Sequence, residues 1–156
     1  TGSFRKDFAL GDVVYTNQFM YSDVDATGFD YAFGQVPQMP ASYPVAAKWL
    51  QVIETVLAQA TMPAHQGLIV TADSFMSDQT SVAAIRQKFP EIIASDMESA
   101  AIAQIAHFYD IPVINLRGVS DHVGEEAPDT FTDTLDLAAT QAFKAVKALV
   151  DYYQNA

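Results

Sequence analysis

Four short apolar runs alternate with segments of helical period along this chain of 156 residues, and that alternation confines it to a layered α/β fold. The first run, Val13-Val14-Tyr15-Thr16, follows the turn formers Gly11-Asp12 and is predicted to continue, with an interruption, to Tyr21. The others are Gly67-Leu68-Ile69-Val70-Thr71, Ile92-Ile93-Ala94 and Pro112 to Val119. Val45, Trp49, Val52, Ile53, Val56 and Leu57 recur at helical spacing, with Pro44 in a first turn that tolerates proline and an end near Ala60. Residues 80 to 89 predict a shorter helix stopped by Pro90, and Met97 to Phe108 another. From about Asp133 to Tyr153 a covering helix is expected, its acids early and Lys144 and Lys147 late, as the helix dipole favours. Residues 22 to 42, with Gly28, Gly34, Pro37 and Pro40 among Phe29, Tyr31 and Phe33, read as a long ordered loop.

Half of the residues are apolar, enough to bury a sizeable core in one domain, and no repeat or linker divides the chain. Nineteen acidic residues against eight basic ones give a net charge of −11, which repels nucleic-acid phosphates and anionic membrane surfaces. Without cysteine there is neither a disulfide framework nor a thiolate metal or redox site. No run approaches the roughly 20 apolar residues of a bilayer span, and the start carries no signal-peptide pattern, so a cytoplasmic address is expected. His65, His107 and His122 lack paired ligand spacing, and no metal or other cofactor is expected. A Gly-x-Ser-x-Gly elbow is also missing.

In such folds ligands sit beyond the carboxyl ends of the strands, where three segments fall: Asp73 to Met76, Ser95 to Glu98 and Ser120-Asp121. Each has a plain reading and a chemical one. Asp96-Met97-Glu98 is an ordinary acidic helix start, or it projects the Glu98 carboxylate into the crevice to accept two hydrogen bonds from a diol. Ser120-Asp121 is a cap or turn, or it holds a partly desolvated acid able to donate a proton. Phe75-Met76 belongs to the core, or stacks on a planar base.

Taken together, Gly67-Leu68-Ile69-Val70-Thr71-Ala72-Asp73-Ser74-Phe75, Asp96-Met97-Glu98-Ser99-Ala100-Ala101-Ile102-Ala103 and Arg117-Gly118-Val119-Ser120-Asp121 resemble, in order and spacing, the 5′-methylthioadenosine/S-adenosylhomocysteine nucleosidases. The resemblance runs from about Phe4 to the C-terminus and includes Phe29-Asp30-Tyr31-Ala32-Phe33-Gly34-Gln35-Val36-Pro37, a stretch that favours this branch over its relatives. It implies a mixed sheet flanked by helices, a homodimer, no cofactor, and hydrolysis of the N-glycosidic bond with release of adenine.

By match to the motifs, Phe75 stacks on adenine and the backbone of Met76 bonds its Watson–Crick edge. Met97 and Glu98 hold the ribose, Ser3 adds to the substrate site, and Phe131 closes over it. Asp121 is the general acid at N7, supported by Ser120, with the charge of Arg117 behind them. Phe29 and Pro37 match positions that complete the alkylthio pocket of the partner subunit. These residue types suit the chemistry: bond breaking leaves a cationic sugar, which a carboxylate favours, and an electron-rich base, which an acid relieves.

Two departures accompany the match. Asp96 stands where the family frequently has glutamate. The family also carries an early strand, and a glutamate that positions or activates the attacking water, ahead of a Thr-Gly-Ser-Ala-Gly loop that Thr1-Gly2-Ser3 resembles without its last small residues. The resemblance therefore implies that residues 1–156 are one partial domain, the C-terminal two-thirds of a nucleosidase without its N-terminal strands, and inactive as an isolated polypeptide. Other readings stay open. A purine nucleoside phosphorylase shares the architecture but needs a cluster of arginines, of which only Arg5, Arg86 and Arg117 occur. A futalosine-type hydrolase is closer, and a catalytically silent nucleoside-binding module belongs to another class.

Overall fold

In a computed structural model that describes residues 1–124 and 126–155, the alternation becomes a mixed sheet flanked by helices, the expected fold class. The strands are β1 (Gly2–Ser3), β2 (Val13–Tyr21), β3 (Tyr43–Pro44), β4 (Ala64–Thr71), β5 (Ile92–Asp96), β6 (Arg117–Gly118) and β7 (Asp121–His122). The helices are α1 (Ala47–Gln59), α2 (Gln79–Lys88), α3 (Ser99–Phe108) and α4 (Ala127–Gln154). The strand order is β3-β2-β4-β5-β1-β7, with β6 also pairing with β2. β2, β4 and β5 run parallel, whereas β3 and β6 lie antiparallel to β2, and β1 is antiparallel to β5 and parallel to β7.

The two faces of the sheet follow from side-chain alternation along each strand. Val13 and Tyr15 point to one face and pack with Ile53, Val56 and Leu57 of α1 and Ala145 and Leu149 of α4. Val14, between them, joins Phe8, Ile69, Ile93 and Val119 on the other. Val70 packs with Phe4, Val82 of α2 and Phe89. Each fully buried large side chain, such as Ile53 or Ile69, contributes about 1.5–3 kcal/mol. Helix α4 crosses so close to β6 that a Cβ on Gly118 would overlap the Ala138 carbonyl, which only a glycine avoids.

Beyond an earlier start of β4, at Ala64 and not Gly67, four expected boundaries move. Pro44 pairs with Gln18 as part of β3 instead of opening a helix, and α1 starts at Ala47 after the extended Ala46. Asp96 ends β5 and α3 starts at Ser99, not Met97. Helix α4 starts at Ala127, ahead of Asp133, because Pro128 pre-sets its first turn. The fourth change is larger: of the run Pro112 to Val119 only Arg117–Gly118 joins the sheet. The stretch before it is held by a side chain, since Asn115 Oδ1 accepts from the Thr16 N–H at 2.9 Å and Asn115 Nδ2 donates to Ser99 Oγ at 3.3 Å. Residues 22 to 42 are an ordered loop as expected, with one 3-10 turn at Thr27–Phe29, and Phe33 anchors it between the Phe89 ring at 6.0 Å and the Lys88 ammonium.

Candidate active site

The carboxyl ends of β4 and β5, the start of β7 and the first turns of α4 enclose a cavity of about 440 Å³. That size suits a small ligand buried on most sides. The three strand-end segments meet there: Phe75, Met76, Met97, Glu98, Arg117, Ser120, Asp121 and Phe131 all line it. Topology explains the convergence: β4 and β5 run parallel and end on one side of the sheet, and β7, parallel to a β1 that is antiparallel to β5, starts on that same side, with Gly2 opposite both Ser95 and Asp121.

Asp121 is deeply enclosed, only 2 % exposed, at the start of β7. The Ser120 hydroxyl donates to its Oδ1 at 2.7 Å, which fixes one carboxyl oxygen of a residue that lines the cavity. β1 runs alongside with Gly2 opposite Asp121, and a Cβ on Gly2 would come within 2.9 Å of Asp121 Oδ2. A glycine there leaves the acid its room. The Ser120 carbonyl in turn accepts from the Thr134 hydroxyl of α4, tying this pair to the covering helix.

Glu98 sits at the junction of β5 and α3 and is exposed to the cavity. Its Oε2 accepts from the Arg117 guanidinium at 2.8 Å, which leaves Oε1 to accept from a ligand. Asp96, beneath it, is buried and accepts at Oδ1 from the Thr71 hydroxyl at 2.7 Å, the Ser99 N–H at 3.1 Å and the Glu98 N–H at 3.3 Å. The helix opening is therefore capped by Asp96, and Glu98 is spared for other work.

An aromatic wall completes the crevice. Phe75 is partly exposed, and its ring meets that of Phe131 edge to face, with centroids 5.8 Å apart. Phe131 stands in the first turns of α4, not on a preceding loop. The Met76 carbonyl accepts from the Gly124 N–H at 2.8 Å, which leaves its second lone pair for a base.

Three expected residues lie elsewhere. Ser3 is buried beside the cavity and does not line it, its hydroxyl donating to the Arg5 carbonyl at 2.9 Å, while its neighbours Thr1 and Gly2 do line it. Phe29 and Pro37 stand on the outer loop, Phe29 82 % exposed. Ser74 and Ser95 lie within the strand-end segments named from the sequence, whereas Pro128 and Thr132 were outside them, and an earlier start to α4 would have been the signal. The arrangement provides an enclosed acid, a carboxylate held from behind by a guanidinium, and an aromatic face. Such a set can protonate a planar leaving group and hold a diol.

A profile of the phosphorylase superfamily matches residues 1–151. The 5′-methylthioadenosine/S-adenosylhomocysteine nucleosidase of Marinomonas sp. is 39% identical over 150 residues, 96% of this chain and 65% of the relative. The chain thus spans just under two-thirds of the length of that curated relative. Among solved structures, the nucleosidase of the same description from Neisseria meningitidis, in complex with methylthio-immucillin-A, superposes with a TM-score of 0.91 at 38% identity, covering 96% of this chain and 65% of that one. The futalosine hydrolase of Helicobacter pylori reaches a TM-score of 0.89 at 25% identity, covering 97% and 64%.

Proposed function

The chain belongs to the phosphorylase superfamily, on the branch of the 5′-methylthioadenosine/S-adenosylhomocysteine nucleosidases, and from that premise we propose that it forms the greater part of an enzyme that hydrolyses the N-glycosidic bond of those two nucleosides and releases adenine. The observation that carries the reading is the meeting of Asp121, Glu98 and Phe75 in one cavity.

Adenine lies against Phe75, the ribose hydroxyls bond to Glu98 Oε1 beside Met97, and Phe131 covers both. As the glycosidic bond lengthens, its electron pair moves onto adenine, and Asp121 transfers a proton to N7. General acid assistance of this kind contributes about 10²–10⁴-fold. The sugar left behind is cationic, and Glu98 stabilises it electrostatically before water adds at the anomeric carbon and releases a proton to solvent, from which Asp121 is reprotonated. Water suits the crevice better than phosphate does: Asp96, Glu98 and Asp121 face the single guanidinium of Arg117 among the described residues. Arg86 instead donates to the Phe4 carbonyl at 3.0 Å, and Arg5 pairs with Asp7 at 2.8 Å on the surface. A homodimer, in which Phe29 and Pro37 of one subunit complete the alkylthio pocket of the other, and a cytoplasmic address belong to the same proposal.

The test is adenine release from 5′-methylthioadenosine by the full-length protein in phosphate-free buffer. Steady release without phosphate is expected. Strict dependence on added phosphate would overturn the hydrolase in favour of a phosphorylase.

A further inference from the structure

Asp96 belongs to the wall of the crevice, yet its side chain has no access to solvent. Its Oδ1 is saturated by the three donors described above, whereas its Oδ2 is buried and has no hydrogen-bond partner among the described residues. A buried carboxylate oxygen left in this state is costly unless a charge compensates it. The nearest cation is Arg117, whose Nε lies 3.5 Å from Oδ2. The same guanidinium bonds Glu98 at 2.8 Å, and its Nε also donates to the Thr1 hydroxyl.

One guanidinium thus stands between two carboxylates of different exposure, Asp96 with none and Glu98 well exposed to the cavity. If Arg117 were neutralised by Glu98 alone, the carboxylate facing the sugar would carry little net field. With Asp96 present the three groups sum to one negative charge, and the accessible part of it is on Glu98. This matters for the reaction proposed above, on which the inference rests, because the substrate is neutral and the breaking bond leaves a cationic sugar. A counter-charge that frees Glu98 then acts on the transition state and hardly on the bound substrate.

We propose that Asp96 is a positioning residue that neutralises Arg117 from behind and so reserves the Glu98 carboxylate for the cationic sugar of the transition state. A purely structural role predicts something different, namely equal losses of binding and turnover and a lower melting temperature.

The experiment measures kcat and KM for adenine release from 5′-methylthioadenosine by the full-length protein, its Asp96→Asn and Asp96→Glu variants, and Arg117→Gln with and without Asp96→Asn. Asp96→Asn is expected to lower kcat by about tenfold or more. KM should stay within about threefold. Its affinity for an iminosugar nucleoside analogue, which carries a cationic ring, should fall in step with kcat, while a neutral deaza analogue binds as before. Asp96→Glu, the conservative variant that retains the charge, should rescue kcat to within about threefold of wild type, and this arm stands even where Asp96→Asn fails to fold. In the Arg117→Gln background, adding Asp96→Asn should cost less than about threefold. A wild-type protein that frees no adenine overturns the hydrolase reading itself. With adenine release intact, equal loss of both analogues, failure of a folded Asp96→Glu protein to retain kcat, or an undiminished cost in the Arg117→Gln background overturns only the role of Asp96.

Discussion

Among the described residues, two cavities of almost equal volume can be compared, about 440 Å³ at the carboxyl ends of β4 and β5 and the start of β7, and about 420 Å³ between β3 and the end of α3. Their linings differ in kind. The first brings Asp96, Glu98, Arg117 and Asp121 together, each with a partner that fixes it. Prolines dominate the second, Pro40, Pro44 and Pro112, with Tyr43, His107 and Asp110, and the Tyr43 hydroxyl is buried there without a hydrogen-bond partner among the described residues. Volume therefore does not mark a site. What marks it is that side chains from several strands, distant in sequence, are held on one point by hydrogen bonds that orient them.

The largest effect that would break this contrast is at Asp121. Asp121→Asn keeps the shape and can still accept from the Ser120 hydroxyl, but has no carboxyl proton to give. Turnover should fall by about 10²–10⁴-fold while the nucleoside still binds. Steady-state adenine release with parallel calorimetry reads both, and unchanged turnover would remove the acid from its role. A smaller effect is expected at the aromatic wall. Phe75→Ala removes the face on which a base stacks, a contact worth about 1–3 kcal/mol per base, so KM should rise roughly tenfold with a lesser change in kcat. An unchanged KM would place the base elsewhere in the cavity.

What the sequence makes legible is what short-range pattern encodes. β2, β4 and β5 stand out because apolar β-branched runs lie between turn formers, and β4 and β5 carry functional motifs at their ends. β1, β3, β6 and β7 are two residues long, too short for any period, and exist only through partners far along the chain, such as Gly2 opposite Asp121. The setting of Ser3 was hidden for the same reason: neighbours on a strand face opposite sides, so with Gly2 against Asp121 the Ser3 side chain turns to the Arg5 carbonyl. Pro112 to Leu116 has strand composition, but composition does not supply a neighbour, and the Asn115 amide holds it instead. The Arg117–Glu98 pair and the buried oxygen of Asp96 were equally out of reach, since residues nineteen apart show no sign of contact in the sequence.

The smallest expected effect belongs to the second cavity and sharpens the contrast from its other side. Tyr43 packs against Phe19, Val45 and Ala103, and its ring tilts against His107 at 5.6 Å, so the aromatic body is held by packing and the hydroxyl contributes no bond. Burying an unpaired hydroxyl costs about 1–3 kcal/mol, part of which its van der Waals contacts offset. Tyr43→Phe deletes that cost and leaves the packing in place. Stability should hold or rise by up to about 1 kcal/mol in a urea titration, with adenine release unaltered. The opposite change at Ser120, whose hydroxyl donates to Asp121 Oδ1, removes a bond that is made, so Ser120→Ala should lower turnover where Tyr43→Phe does not. A clear loss of stability or activity in Tyr43→Phe would mean that the hydroxyl has a partner in solution, and the two cavities would then differ in what they bind and not in whether they bind.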